Sequence, residues 1–245
     1  MIHPLDSLAS PFPNDVVFIF PRNAGRMLWS NSIILSSASP YLKTLLASGF
    51  AEANTGWKIE LEDLSSLEPL PFDDSDDEDS SQSPASPGPH LPSSAFPYCR
   101  IRVTQTSSKP YHAVLLYIYT QQIVFSPLSS CSRVGPPLTP PVDEIVPRHV
   151  SPKSVYRLAH HLEVPELQKL ALESLKSDLN PNNVAVELFS EKSGTYDDVL
   201  QLLLEYAAAH RSEVRDTEEW KEKMATFGEL PWGAKVAGRL AAALI

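Results

Sequence analysis

A chain of 245 residues with 42% apolar side chains is long enough and apolar enough for one or two packed domains. Its net charge of −10, from 30 acidic against 20 basic residues, excludes a surface that displaces counterions from nucleic-acid phosphates, which needs clustered Lys and Arg. The two cysteines, Cys99 and Cys131, are too few for a disulfide scaffold or a Cys-rich zinc site, and no apolar run reaches the roughly 18 residues of a membrane span. With no basic-then-apolar signal segment at the N-terminus, a soluble intracellular protein is expected, nucleus and cytoplasm being undistinguished.

Residues 1–14 carry Pro4, Pro11 and Pro13 and little pattern, and read as a loose leader. Val16 to Phe20 is an unbroken apolar run rich in β-formers, as expected of a strand covered on both faces. Turn chemistry over Pro21 to Gly25 returns the chain into a second strand, Arg26 to Trp29. Asn31 or Ser30 is placed to cap a helix through Ile33, Ile34 and Leu35. Ser39-Pro40 is a second helix start, a capping hydroxyl followed by a proline whose missing N–H is harmless at the first position. Tyr41, Leu42, Leu45 and Leu46 give that helix one apolar face, and Gly49 is placed to end it.

Trp57 to Leu61 alternates apolar and charged residues, a half-buried strand pattern. Residues 65–97 are then rich in Ser, Pro and Asp, with an acidic run from Asp73 to Asp79. Such a segment buries too little apolar area to offset its ordering entropy and reads as a disordered insert. Tyr98 to Val103 alternates again and reads as a strand, with Trp57 to Leu61 as a possible hairpin partner across the insert. Tyr111 to Tyr119 has few polar positions and predicts a central helix. A brief extended piece at Ile123 to Phe125 precedes a second proline-rich insert, residues 126–150.

Order is expected to resume at Ser151-Pro152, another cap-plus-proline start. Val155, Leu158, Ala159 and Leu162 follow at helical spacing, and Pro165 opens the next helix with Leu167, Leu170 and Ala171. The tail is helical too. Asn180-Pro181 starts a helix through Val184 and Leu188. Thr195 with Asp198, and Asp216 with Glu219, have capping-box spacing ahead of apolar faces. Val236, Ala237, Leu240 and Leu244 mark a last amphipathic stretch.

A search for reactive chemistry finds little. His160 and His161 are neighbours on a helix, so their side chains diverge by about 100°, and the i, i+4 spacing of a zinc-binding helix is absent. Cys99 has no base or thiolate-stabilising motif beside it. There is no phosphate loop and no nucleophile elbow. The acidic run reads as a solvated linker, with a docking tail for a basic partner as the alternative; Ser75, Ser80 and Ser81 beside it are candidate phosphorylation sites. The Pro136 to Pro141 stretch reads as a linker or a polyproline ligand.

Asp15-Val16, Leu35-Ser36, Ser39-Pro40-Tyr41, Phe50-Ala51-Glu52 and Tyr117-Ile118-Tyr119-Thr120 fall in an order and spacing that resembles the BTB/POZ family. Leu158-Ala159 and Leu162 to Leu167 look like that family's closing helix pair, and the tail is similar to the helical extension that follows many BTB domains. The resemblance covers roughly Asp15 to Lys176 and implies an α+β fold: a BTB/POZ-like small sheet with packed helices over residues 15–176, interrupted by inserts at about 65–97 and 126–150, then a helical extension over residues 177–245. It further implies a non-catalytic protein–protein interaction module without cofactor, metal, nucleic-acid or membrane partner. Phe50 and Glu52 resemble the apolar anchor and rim acid with which the family contacts the cullin scaffold of ubiquitin ligases. A substrate adaptor is therefore expected, and a self-associating scaffold or nuclear regulatory protein without a ligase role is the alternative. Trp29, Ile33 and Ile34 are the apolar candidates for a homodimer face. One departure stands out. The family usually carries a basic residue where this chain has Ser32, so Asp15 is expected to cap nearby backbone N–H groups, with Arg26 or Lys43 as other possible partners.

Overall fold

The computed structural model describes residues 14–23, 25–47, 98–131 and 149–244. They form a mixed α+β protein that divides into two compact units. One holds the described residues of Met1–Ser126 and Pro141–Ala171, the other those of Pro127–Pro140 and Leu172–Ile245.

The first unit is built on a three-stranded sheet in the order β2-β1-β3. β1 (Val16–Phe20) is buried along its whole length, as its unbroken apolar run requires. It pairs antiparallel with β2 (Arg26–Ser30), with Val16 opposite Ser30 and Phe20 opposite Arg26. The connection is a 3-10 turn, Pro21–Asn23, closed by Gly25 at φ 72°, where its N–H donates to the Phe20 carbonyl (3.1 Å). β3 (Cys99–Arg102) lies on the other side of β1, parallel to it, with Val16 opposite Cys99. Tyr98 to Val103 is thus a strand at its centre, and its partner among the described residues is β1. The proposed partner, Trp57 to Leu61, lies outside the described residues.

Alternation along β1 separates two apolar layers. Val17 and Ile19 join Trp29 of β2 in one cluster, with Met27 and Tyr98 packed on its edge. Phe18 and Phe20 meet the ring of Tyr111, at centroid distances of 4.8 and 5.3 Å. Tyr111 belongs to α3 (Ser108–Thr120), and nine of the thirteen residues of α3 are buried, which makes it the central helix of the unit. Burial also pushes the Tyr111 phenol far above its usual range, so the ring serves the core as a neutral group.

Between β2 and β3 come α1 (Ser32–Ala38) and α2 (Pro40–Ala47). Ser39 between them is fully buried, and its Oγ accepts from the Leu42 N–H (3.0 Å) and donates to the Leu162 carbonyl (2.5 Å). One hydroxyl therefore caps α2 and fastens the helix pair to the end of α4 (Pro152–His161). The Ser151 cap of α4 is as expected: its Oγ accepts from the Lys153 N–H (3.2 Å) and Pro152 follows. Glu163 takes a left-handed conformation, φ 55°, between α4 and α5 (Pro165–Ser177).

The stretch expected to be a proline-rich insert from Ser126 to Val150 is ordered at both ends. Phe125 and Val150 form an isolated parallel bridge, and Leu128 is only 2% exposed. In the second unit the Leu128 N–H donates to the Asp178 carboxylate (3.1 Å) and Ser130 Oγ donates to Glu187 (2.5 Å). Asn183 Nδ2 bonds both the Asp178 carbonyl (2.9 Å) and Cys131 Sγ (3.4 Å). Burial beside Asp178 raises the Cys131 thiol above its usual range, so it stays protonated at neutral pH.

The remaining helices of that unit are α6 (Val184–Leu188), α7 (Glu191–Thr195), α8 (Asp197–Ala209), α9 (Arg211–Asp216), α10 (Glu218–Thr226) and α11 (Gly233–Leu244). α8 is central, burying Val199, Leu200, Leu203, Leu204 and Ala207. Neither expected capping box forms. Thr195 ends α7 and its hydroxyl donates back to the Glu191 carbonyl (2.9 Å), while Thr217, not Asp216, caps α10 by accepting from the Trp220 N–H (3.2 Å). α11 is held by Lys235, whose Nζ reaches the Gly194 carbonyl (2.7 Å) and the Asp197 carboxylate (3.0 Å). That contact holds the Asp197 carboxyl below its usual range. No helix among the described residues is long and apolar enough to cross a membrane.

Candidate interaction surface

The start of α1 gathers the first set of singled-out residues. Its first-turn N–H groups have no helical acceptor and must find others. Asn31 Oδ1 accepts from Ile33 (3.0 Å) and Ile34 (3.4 Å), as expected of a cap. Asp15 supplies the rest: one carboxylate oxygen accepts the Ser32 N–H (2.7 Å) and the other its hydroxyl (2.5 Å). Of the partners open to Asp15 from the sequence, the backbone of the first helix is the one it takes. Its own N–H and carbonyl bond Ser30 (3.2 Å) and Cys99 (2.8 Å), so this residue joins β2, β3 and α1 at one point.

Tyr119, from the Tyr117 to Thr120 motif, closes the same corner. Its hydroxyl lies 3.0 Å from Ser30 Oγ and accepts the Asn31 N–H (2.9 Å). With every first-turn N–H occupied, the helix is rigidly aimed, and Ile33 at its second position stands 77% exposed. Ile34 is half-buried. Trp29 differs from the exposed position that a subunit contact calls for: it is 4% exposed and edge-on to Tyr98 at 5.3 Å. The reason is register, because Trp29 sits directly opposite Val17 and so shares its face of the sheet. Phe50, Glu52 and Gly49 lie outside the described residues.

The described histidines do not converge. His161 packs on the Tyr41 ring (4.7 Å) and His160 faces Tyr156 (6.4 Å). Partial burial, together with the charges of Arg157 and His160, lowers the His161 pKa. Among the described residues no three His, Cys, Asp or Glu side chains are grouped to hold a metal, and both cysteines are free thiols.

One feature escaped the sequence reading. In the second unit Phe189 and Leu240 floor a cleft of about 410 Å³, walled by Met224, Phe227 and Ala237, with Arg215 and Ala241 at its rim. Helical periodicity identified the buried stripe of α11 but gives no sign of a gap between neighbouring helices; the aromatic residues Phe189 and Phe227, on a short helix end and a turn, were the available signal. Comparison with known proteins returns no matching family model and no curated protein with significant similarity.

Proposed function

We propose that this chain is a non-catalytic protein–protein interaction module of the BTB/POZ kind, acting as an adaptor that binds a cullin-type ubiquitin-ligase scaffold. The observation that supports this reading is the corner at the start of α1. There two pieces of the motif set, Asp15 and Tyr119, meet through hydrogen bonds to residues 30–32 although they are far apart in sequence. Of the other pieces within the described residues of the same unit, Leu35-Ser36 lies inside α1, Ser39-Pro40 at the start of α2 and Thr120 at the end of α3. An adaptor works by tethering a substrate beside the ligase and raising its effective concentration. The Phe50-x-Glu52 sequence supplies an apolar anchor and an acid for the scaffold contact. The test is copurification of a cullin scaffold with the full chain and with Phe50→Ala/Glu52→Ala. Recovery with the first and loss with the second is the expected result, and equal recovery removes the motif assignment.

The exposure of Ile33 favours a second reading, a self-associating scaffold. Light scattering on wild type and Ile33→Asp separates the two: a dimer converted to monomer supports self-association, and a wild-type monomer excludes it.

A further inference from the structure

We propose that the cleft of the helical unit is a binding site for a small apolar carboxylate. The inference is independent of the adaptor reading. The cleft, about 410 Å³, is within the size range of small-molecule sites, roughly 300–1,000 Å³. Its floor and walls are apolar and partly aromatic: Phe189, Phe227 and Leu240. Such a surface favours an apolar body by the area it removes from water. Arg215 is the one charged residue among those lining it, it is exposed at the rim, and among the described residues it has no hydrogen-bond or ion-pair partner. Apolar walls with a single polar group fix one orientation: body inward, charged end at the rim. A guanidinium selects a carboxylate there, because its planar donors match both oxygens. A cationic or neutral head group finds no acceptor among the side chains lining the cleft. Glu213 and Asp216 flank Arg215 in the chain and weaken the local positive field, so the discrimination belongs at the scale of an exposed ion pair.

The test uses the full chain and two probes of one length, sodium octanoate and octylamine, followed by amide chemical shifts. Octanoate is expected to shift the amides of Arg215, Phe227 and Leu240 saturably, with octylamine about threefold to fivefold weaker. Arg215→Gln erases the difference between probes while leaving the shared apolar component. Ala241→Phe places a ring at the mouth of the cleft and abolishes both; Ala241 is exposed, so the fold survives, and circular dichroism verifies it. Equal binding of the two probes by wild type, binding untouched by Ala241→Phe, or no saturation overturns the proposal. So does sedimentation showing self-association that Ala241→Phe removes, which would make the cleft an interface between copies.

Discussion

Asp15→Ala removes the acceptor of two hydrogen bonds at the start of α1 and leaves every buried apolar contact in place. A bond to an ionised acceptor contributes about 1.5–3 kcal/mol, and an orphaned first-turn N–H costs about 1 kcal/mol on the capping scale. Asp15 and Ser32 are both half-buried, so water can replace part of each bond, and the sum comes to about 2 kcal/mol. For a protein of this size that corresponds to a melting temperature lower by about 4–8 °C. Asp15→Asn keeps one oxygen for the Ser32 N–H but loses the charged acceptor for the hydroxyl, and falls about halfway. Calorimetry measures the loss, and amide exchange locates it: Ser32 and Ile33 accelerate while Leu200 and Leu203 of α8 keep their protection. A melting temperature unchanged by Asp15→Ala, or acceleration spread equally over both units, refutes the claim that this carboxylate anchors the helix.

Ser39→Ala leaves the Leu42 N–H and the Leu162 carbonyl without their shared hydroxyl in a fully buried place, and is expected to cost about 2–3 kcal/mol by urea denaturation. Gly194→Ala would put its Cβ 2.5 Å from Trp232 Cβ, which sits at the root of its side chain and cannot swing aside; a destabilisation of about 1–3 kcal/mol and a shift in tryptophan emission are expected. The lowered pKa of His161 ties stability to acidity. Its contribution is complete above the unfolded-state value of about 6.5 and is lost as pH falls from there through the lower folded value. The drop in melting temperature between pH 7.5 and 5.5 should therefore shrink in His161→Gln.

Three helix starts were legible because each depends on a few adjacent side chains: Asn31, Ser39-Pro40 and Ser151-Pro152 act where the sequence puts them, whereas the helix expected from Asn180-Pro181 begins only at Val184, after a turn. β1 was equally plain, since an apolar run needs cover on both faces. Sheet order was not legible, because no local pattern states that β3 lies parallel to β1. The two capping boxes failed for different reasons. The Thr195 hydroxyl bonds its own i−4 carbonyl instead of a following N–H, and the neighbouring Thr217 takes the cap that the spacing had given to Asp216. Leu128 was hidden by composition: prolines and serines around it signalled a linker, yet a single buried side chain and three polar partners suffice to order a short segment. At the candidate surface, the capping role of Asp15 was legible from the absence of a basic residue at position 32, whereas the burial of Trp29 needed strand register.

The seat of Leu128 has a consequence for how the chain is assembled. The described chain visits the second unit from Pro127, is back in the first by His149 and leaves it again at Leu172. A ribosome therefore releases Leu128 well before the turn at Asp178, just after α5, exists, and its N–H stays bonded to water until that turn arrives. No single cut separates the two units cleanly. A fragment stopped at Ala171 leaves the Leu128 N–H and the Ser130 hydroxyl without Asp178 and Glu187, and one begun at Leu172 lacks the segment that a synthetic peptide of residues 127–131 should restore when added in trans.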